Sequence, residues 1–162
     1  MSLRSAYEKF ELSASWLQSP LLLLLRLYWG GSFFLTGKGK LLNLDRTAEY
    51  FGSLNIPLPK LNAAMAGGTE CLGGLLLAAG LFSRAAAVPL VFTLSVAYAT
   101  AERDSLKAIV HDPDKFTAAT PFLFLFAVLI VLAFGPGKFS IDYLWNRQIT
   151  GSSAGSGRSA GR

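Results

Sequence analysis

The residues from Leu61 to Leu81, LNAAMAGGTECLGGLLLAAGL, form an apolar segment of membrane-spanning length that contains a single acid, Glu70. A helix needs about 20 apolar residues to cross a hydrocarbon core of about 30 Å. A carboxylate at the centre of a bilayer is costly, and such groups face the inside of a helix bundle or a water-filled cavity. The segment therefore predicts a helix that is surrounded by other helices, with Glu70 facing inward.

Small residues near Glu70 favour the same interpretation, because they let a neighbouring helix approach closely and so drive helix association in lipid. On a helical wheel, Gly30 and Gly37 fall on the same line as Arg26 and Lys40, which places them on one face of an earlier helix. The glycines predicted at helix contacts are Gly30, Gly37, Gly67, Gly73 and Gly74.

The composition is that of an integral membrane protein with one domain. Hydrophobic residues make up 52% of the 162 residues and charged residues 15%, whereas a soluble domain has about 25% charged residues. The net charge of +5 does not indicate a nucleic-acid interface, since the basic residues are scattered over loops and form no continuous stripe. Membrane lipids are the expected partners, because basic residues near helix ends contact anionic headgroups.

Four apolar segments predict an all-α fold, a four-helix transmembrane bundle. Its helices are expected at about 20–42, 61–81, 85–101 and 118–134, within a membrane domain over 20–145. Residues 146–162 are a Gly/Ser-rich tail, of which 151–162 is either a disordered native extension or a remnant of cloning.

Residues 1–19 are predicted to form an amphipathic helix that lies in the membrane interface. Apolar residues recur there at spacings of three and four, a pattern typical of one helical face. These residues are Leu3, Tyr7, Phe10, Ala14 and Leu17. A disordered N-terminus is the alternative, and Pro20 suits the first position of the following helix.

Three deep charges, Arg26, Glu70 and Asp142, are candidates for a buried ion network that fixes the register of the helices. The Cα atoms of Arg26 and Glu70 should differ in depth by about 7 Å, and helical side chains lean toward their own N-termini, so the two lean apart. A pair between them is possible. The direction of the side chains favours Asp142 as the partner of Arg26 and Lys40 as the partner of Glu70.

The functional alternative is a polar pocket that opens on the loop side with Glu70 at its floor. Lys40, Tyr98, Glu102 and His111 are its candidate walls. Such a pocket could hold a quinone head group by hydrogen bonds or pass protons through the carboxylate. Equally, Tyr98 could be an aromatic anchor, and Glu102 and His111 solvated residues.

The single cysteine, Cys71, is expected to be a small packing residue. One cysteine allows no internal disulfide, no CxxC pair and no cysteine metal cluster, and no metal site is predicted. His111 is the only histidine, so we do not expect haem ligation by this chain alone.

Three motifs in order, LLLRLYWGGSFFLTGKGK, GGTECLGGLLLAAGLFSR and FGPGKFSIDYLW, resemble the DoxX family of small four-helix membrane proteins. The family pattern is carried by Arg26 early in the first helix, Gly37 to Lys40 at its end, Glu70, and the run from Gly135 to Asp142. The resemblance covers about residues 20–145.

The resemblance implies a place in a bacterial inner membrane and an association with membrane redox systems. Family members include a subunit of a quinone-linked thiosulfate oxidoreductase and components of oxidative-stress complexes. The similar four-helix quinone-dependent thiol oxidases need paired cysteines, so their chemistry does not carry over. We therefore expect a subunit of a quinone-linked redox complex, without its own redox centre, that contacts other membrane subunits and binds quinone or lipid at most. A structural or assembly subunit, and a proton or small-molecule carrier that uses Glu70, are the alternatives.

Overall fold

The computed structural model describes residues 3–147; between residues 3 and 15 it describes the side chains of Arg4, Tyr7 and Phe10 alone. Over this range the protein consists of helices and their connections and contains no strand, which confirms the predicted all-α class. The helices are α1 Leu3–Leu42, α2 Leu44–Ser53, α3 Pro59–Ala79, α4 Ser83–Thr100, α5 Arg103–Lys107, α6 Pro113–Ala118 and α7 Pro121–Phe134. Residues 141–147 are also helical. The predicted tail lies outside the described residues, apart from its first two positions.

α1 differs from the prediction of two separate helices, because it continues through Pro20 for 40 residues. A proline inside a helix removes one backbone hydrogen bond, to the carbonyl four residues earlier. That loss does not end α1. Tyr7, Phe10 and Leu17 of the predicted apolar stripe are exposed, and the side chains of Leu3 and Ala14 lie outside the description. Their position in a membrane interface stays a prediction.

α1 and α3 pack antiparallel at backbone contact, and glycines make that contact possible. A Cβ placed on Gly37 would lie 2.5 Å from the backbone nitrogen of Cys71 and 2.6 Å from the carbonyl oxygen of Gly67. About two turns earlier in α1, the carbonyl oxygen of Gly30 would lie 2.6 Å from a Cβ placed on Gly74 of α3. Rigid backbone stands at each of these places, so a side chain there would push the helices apart.

This contact gives a matched test in α1. Gly37→Ala should destabilise the protein by about 1–3 kcal/mol, the usual cost of overpacking. Gly39 lies two residues away with nothing within 4 Å of an added Cβ, so Gly39→Ala should leave stability unchanged or raise it by up to about 1 kcal/mol through helix propensity. Thermal unfolding of the purified variants in detergent measures both. Equal effects of the two substitutions would contradict the packing described here.

The apolar core lies where α1, α3, α4 and α7 meet. Gly73 faces Leu90 of α4 across the α3–α4 contact, where an added Cβ would lie 3.0 Å from the leucine Cγ. Trp29 and Phe33 of α1 both pack edge-on against Phe124 of α7, with ring centroids 4.8 Å apart in each pair. The buried core residues are Phe33, Leu77, Ala87, Leu90, Leu94, Val128 and Val131.

The observed boundaries of the remaining helices lie close to the predicted ones. α3 begins at Pro59 rather than Leu61 and ends before Gly80. The positive φ of Gly80, +70°, turns the chain so that the N–H of Leu81 donates to the carbonyl oxygen of Leu76 at 3.0 Å. α4 begins two residues before its predicted start at 85. α7 begins only at Pro121, because α6 is a separate turn of helix before it.

Of the helices in the described range, α4 is the one that is both long and apolar enough to cross a membrane by itself, with 18 residues. α7 is apolar but has 14 residues. α1 and α3 each contain a buried charged residue, Arg26 and Glu70, and such residues lower the mean hydropathy of a helix. A bundle of four membrane-spanning helices is therefore not confirmed by the composition of the helices.

α2 lies outside this core and has no buried residue. The ammonium group of Lys60, at the start of α3, donates a hydrogen bond to Asp45 Oδ1 at 2.8 Å. The hydrogen bond lowers the pKa of the Asp45 carboxyl, and the positive charge of Lys60 lowers it further by a smaller amount. Both side chains are exposed, so the pair orients α2 more than it stabilises the fold.

Candidate functional site

Glu70 is paired with Lys40, one of the two basic partners that the sequence offered it. Lys40 lies in the last turn of α1 and donates to both carboxylate oxygens of Glu70, with 2.5 Å to Oε2. The Glu70 side chain is 6% exposed and that of Lys40 31%. The pair therefore joins a buried acid to a base that reaches toward the loop end of the bundle.

The glycine contact between α1 and α3 positions this pair. Gly37 precedes Lys40 by about one turn, and a Cβ on Gly37 would lie 2.9 Å from the Cβ of Glu70. Because the backbones are so close, the lysine side chain spans the gap to Glu70 while its own Cα lies nearer the helix end. The small-residue contact and the ion pair are thus parts of one structural unit.

Arg26 is completely buried at the opposite end of the α1–α3 contact. Its Nη1 donates to the carbonyl oxygens of Leu77 and Ala78, each at 3.4 Å, and its Nη2 donates to the carbonyl oxygen of Phe139 at 2.5 Å. The last carbonyls of a helix carry a partial negative charge and lack helical partners. Arg26 therefore joins the C-terminal end of α3 to the segment that follows α7.

Gly80 leaves the space that Arg26 occupies. A Cβ there would fall onto the guanidinium group of Arg26 and 2.6 Å from the Cβ of Ser140. Its positive φ of +70° also favours glycine. Both reasons make Gly80 part of the arginine site.

Asp142 binds the start of α4 instead of pairing with Arg26. Its Oδ1 accepts from the backbone N–H of Phe82 at 2.7 Å, and its Oδ2 accepts from the N–H and the hydroxyl of Ser83 at 3.0 and 3.1 Å. The Asp142 N–H in turn donates to the carbonyl oxygen of Gly80 at 2.9 Å. A carboxylate at a helix N-terminus satisfies unpaired N–H groups and complements the helix dipole.

Hydrogen bonds do not join the three residues of the predicted ion network, Arg26, Glu70 and Asp142, directly to one another, although the charge of Asp142 acts on Arg26. Glu70 binds Lys40, Arg26 binds backbone carbonyls, and Asp142 binds backbone N–H groups and Ser83. The physical reason is that unpaired backbone groups at the ends of α3 and α4 compete for the charged side chains. A sequence pattern shows where the charged residues are, but it does not show which backbone groups are left unpaired at the helix ends.

The other predicted wall residues of a Glu70 pocket have partners of their own. The Tyr98 hydroxyl donates to the carbonyl oxygen of Phe116 at 3.1 Å, and the two rings stack with centroids 4.9 Å apart. Glu102 accepts from the Ser105 hydroxyl at 2.9 Å. His111 is exposed in the turn after α5. These contacts hold the loop-side connections, and none of them is with the carboxylate of Glu70.

Cys71 packs against α1, as a small packing residue should. Its Sγ lies 3.6 Å from the carbonyl oxygen of Phe34, and the residue is half-buried. Among the side chains that the structure describes, no group of three or more His, Cys, Asp or Glu is placed to hold a metal ion.

A groove of about 800 Å³ lies at the other end of the molecule, where α4 begins and α7 ends. Its lining includes Ser19, Phe82, Arg84, Phe134, Lys138 and Trp145. Sequence reasoning placed the expected pocket at Glu70 and missed this groove. The available signal was the pair of basic residues, Arg84 and Lys138, next to the two helix ends.

The fold and the site define a helix bundle that holds charged side chains, Arg26 and Glu70, in its interior. The sequence profile of the DoxX family matches residues 21–103, a little more than half of the chain. The chain therefore belongs to the DoxX family. It is similar to the inner membrane protein YphA of Escherichia coli (strain K12), with 29% identity over 111 residues that make up 68% of this chain and 79% of YphA. No solved structure matches the chain. The protein is an integral protein of the bacterial inner membrane.

Proposed function

We propose that the protein crosses the membrane four times and serves as a subunit of a quinone-linked redox complex without a redox centre of its own. The crossing helices are the second half of α1, α3, α4 and α7. Their antiparallel contacts support this arrangement, since Gly37 meets Gly67, Gly73 meets Leu90 and Arg84 meets Ala133. The redox association rests on the resemblance to the DoxX family.

The observation that carries the subunit role is that the deepest charged groups bind partners inside the bundle. Glu70 is held by Lys40, and Arg26 by three backbone carbonyls. Among the described residues the Nε of Arg26 is buried without a hydrogen-bond partner, but the other polar atoms of these two groups are paired, and buried charges paired in this way hold helices in register, as a scaffold subunit requires. The outward faces, in contrast, expose large apolar side chains, including Leu24, Tyr28 and Phe126. These faces suit lipid or other membrane subunits.

Extraction of the tagged protein from its native membrane in a lipid-preserving polymer, followed by mass spectrometry of proteins and quinones, tests this proposal. We expect an oxidoreductase subunit to co-purify in a fixed ratio, with bound quinone. The Gly37→Ala variant should lose this partner in part, whereas the matched Gly39→Ala variant should keep it. A protein that purifies alone, with neither partner nor quinone, would refute the redox-subunit role.

A proton carrier is the second candidate, and the 31% exposure of the Lys40 side chain favours it. Through Lys40 the buried Glu70 carboxylate is connected to the loop end of the bundle. A carrier that uses this connection must lose proton movement in proteoliposomes when Glu70 is changed to Gln. Unchanged proton movement in a folded Glu70→Gln variant would remove the carrier role and leave the subunit role intact.

A further inference from the structure

The groove at the α4–α7 end has two cationic side chains on its walls. Arg84 lies in the first turn of α4, and its Nη2 donates to the carbonyl oxygen of Ala133 at 3.1 Å. That bond holds the guanidinium group over Gly135, where an added Cβ would lie 3.4 Å from Nη2. One donor of the five on an arginine side chain is used in this bond, so the others can bind an anion.

Lys138 supplies the second positive charge. Its backbone N–H donates to the Ser19 hydroxyl at 3.4 Å, which ties the loop after α7 to α1. The residue is exposed, and among the side chains that the structure describes none forms a hydrogen bond or ion pair with its ammonium group. A lysine in this setting can bind a phosphate as a point charge.

The acidic residue on the groove wall, Asp142, offsets one of these two positive charges. Both carboxylate oxygens of Asp142 accept hydrogen bonds from Phe82 and Ser83 at the start of α4. Its negative charge is thus directed at a helix N-terminus. The groove keeps an excess of positive charge on the side of Arg84 and Lys138.

Exposed aromatic side chains flank the charged part of the groove. Phe82, Phe134 and Trp145 are 63%, 66% and 59% exposed and all line it. They lie where one helix of a membrane protein begins and another ends, and aromatic residues are enriched at that depth, beside the lipid headgroups. A groove of this kind offers cations to a headgroup and apolar surface to the start of its acyl chains.

We propose that this groove binds the headgroup of an anionic phospholipid, with the phosphate between Arg84 and Lys138. The volume of about 800 Å³ lies within the range of ligand sites, about 300–1,000 Å³. Basic pockets between membrane helices bind anionic headgroups in this way. The site is separate from Glu70 and independent of any redox partner.

Native mass spectrometry of the purified full-length protein, titrated with phosphatidylglycerol or phosphatidylethanolamine, tests the proposal. Wild-type protein should bind phosphatidylglycerol more tightly. Arg84→Gln and Lys138→Gln should each weaken that binding about fivefold, and the double variant about thirtyfold. Phosphatidylethanolamine has the same phosphate, but its ammonium group offsets that charge, so its binding should be weaker in the wild type and should change less in the variants than the binding of phosphatidylglycerol.

The matched control is the double variant Arg46→Gln/Lys107→Gln, which removes two exposed charges elsewhere and should keep wild-type affinity. Lys138→Gln removes no contact described in the fold, so it tests the site even if Arg84→Gln unfolds. Arg84→Lys keeps the charge and should stay within a few-fold of wild type. Equal losses in the control, no loss in Lys138→Gln, or inorganic phosphate binding as tightly as the lipid would each overturn the proposal.

Discussion

Replacing Arg26 by Ala should destabilise the protein by about 3–5 kcal/mol, as expected when a buried charged donor is removed and its acceptors are left without a partner. Arg26 is completely buried, and its guanidinium group binds the carbonyls of Leu77, Ala78 and Phe139. Without it these carbonyls lose their charged donor and a cavity remains next to Gly80. Thermal unfolding in detergent measures the loss, and hydrogen exchange should rise at residues 139–145, which Arg26 joins to α3.

Arg26→Lys separates the charge from the shape of the side chain. One ammonium group cannot span the α3 carbonyls and Phe139 as a planar guanidinium does, so we expect an intermediate loss. The control is Arg46→Ala, an exposed change in α2, which should stay within about 0.5 kcal/mol. If Arg26→Ala had no larger effect than this control, the role of Arg26 in joining the two segments would be wrong.

Removing Lys40 should cost more than removing its partner Glu70. Lys40→Met leaves a carboxylate that is 6% exposed without its cation, and breaking a buried ion pair costs about 3–5 kcal/mol. Glu70→Leu leaves a lysine that is 31% exposed and long enough to turn outward to the interface, so we expect about 1–2 kcal/mol, the smaller cost of a lost hydrogen bond.

The double variant Lys40→Met/Glu70→Leu should recover most of the stability, because apolar residues can replace a buried ion pair at little cost. Thermal unfolding of the two single variants and the double variant measures the coupling between the residues. Lys38→Met, two residues away and exposed, is the matched control. Additive losses in the double variant would mean that the pair contributes no coupling.

Residue patterns were sufficient to predict the all-helical class and the inward-facing position of Glu70, which is buried. A long apolar segment interrupted by one acid predicts a bundle wherever lipid is the solvent, and Gly80 predicts the end of α3. The depth and lean of the side chains selected Lys40 as a partner of Glu70, and the structure pairs them. The break at Pro20 was not predicted correctly, because a proline removes one hydrogen bond and a long helix can lose one.

The sequence by itself determined the all-helical class, the membrane setting, the small-residue contacts and the positions of the charges. All of these follow from periodicity, side-chain size and the cost of a charge in hydrocarbon. The tertiary structure decided the partners of Arg26 and Asp142, and it placed the groove at the α4–α7 end. Most of those partners are backbone groups at helix ends. Backbone groups are nearly the same for every residue, so a sequence does not distinguish the ones that bind a charge. Only the packing of distant segments shows which of them remain unpaired and within reach of a charge.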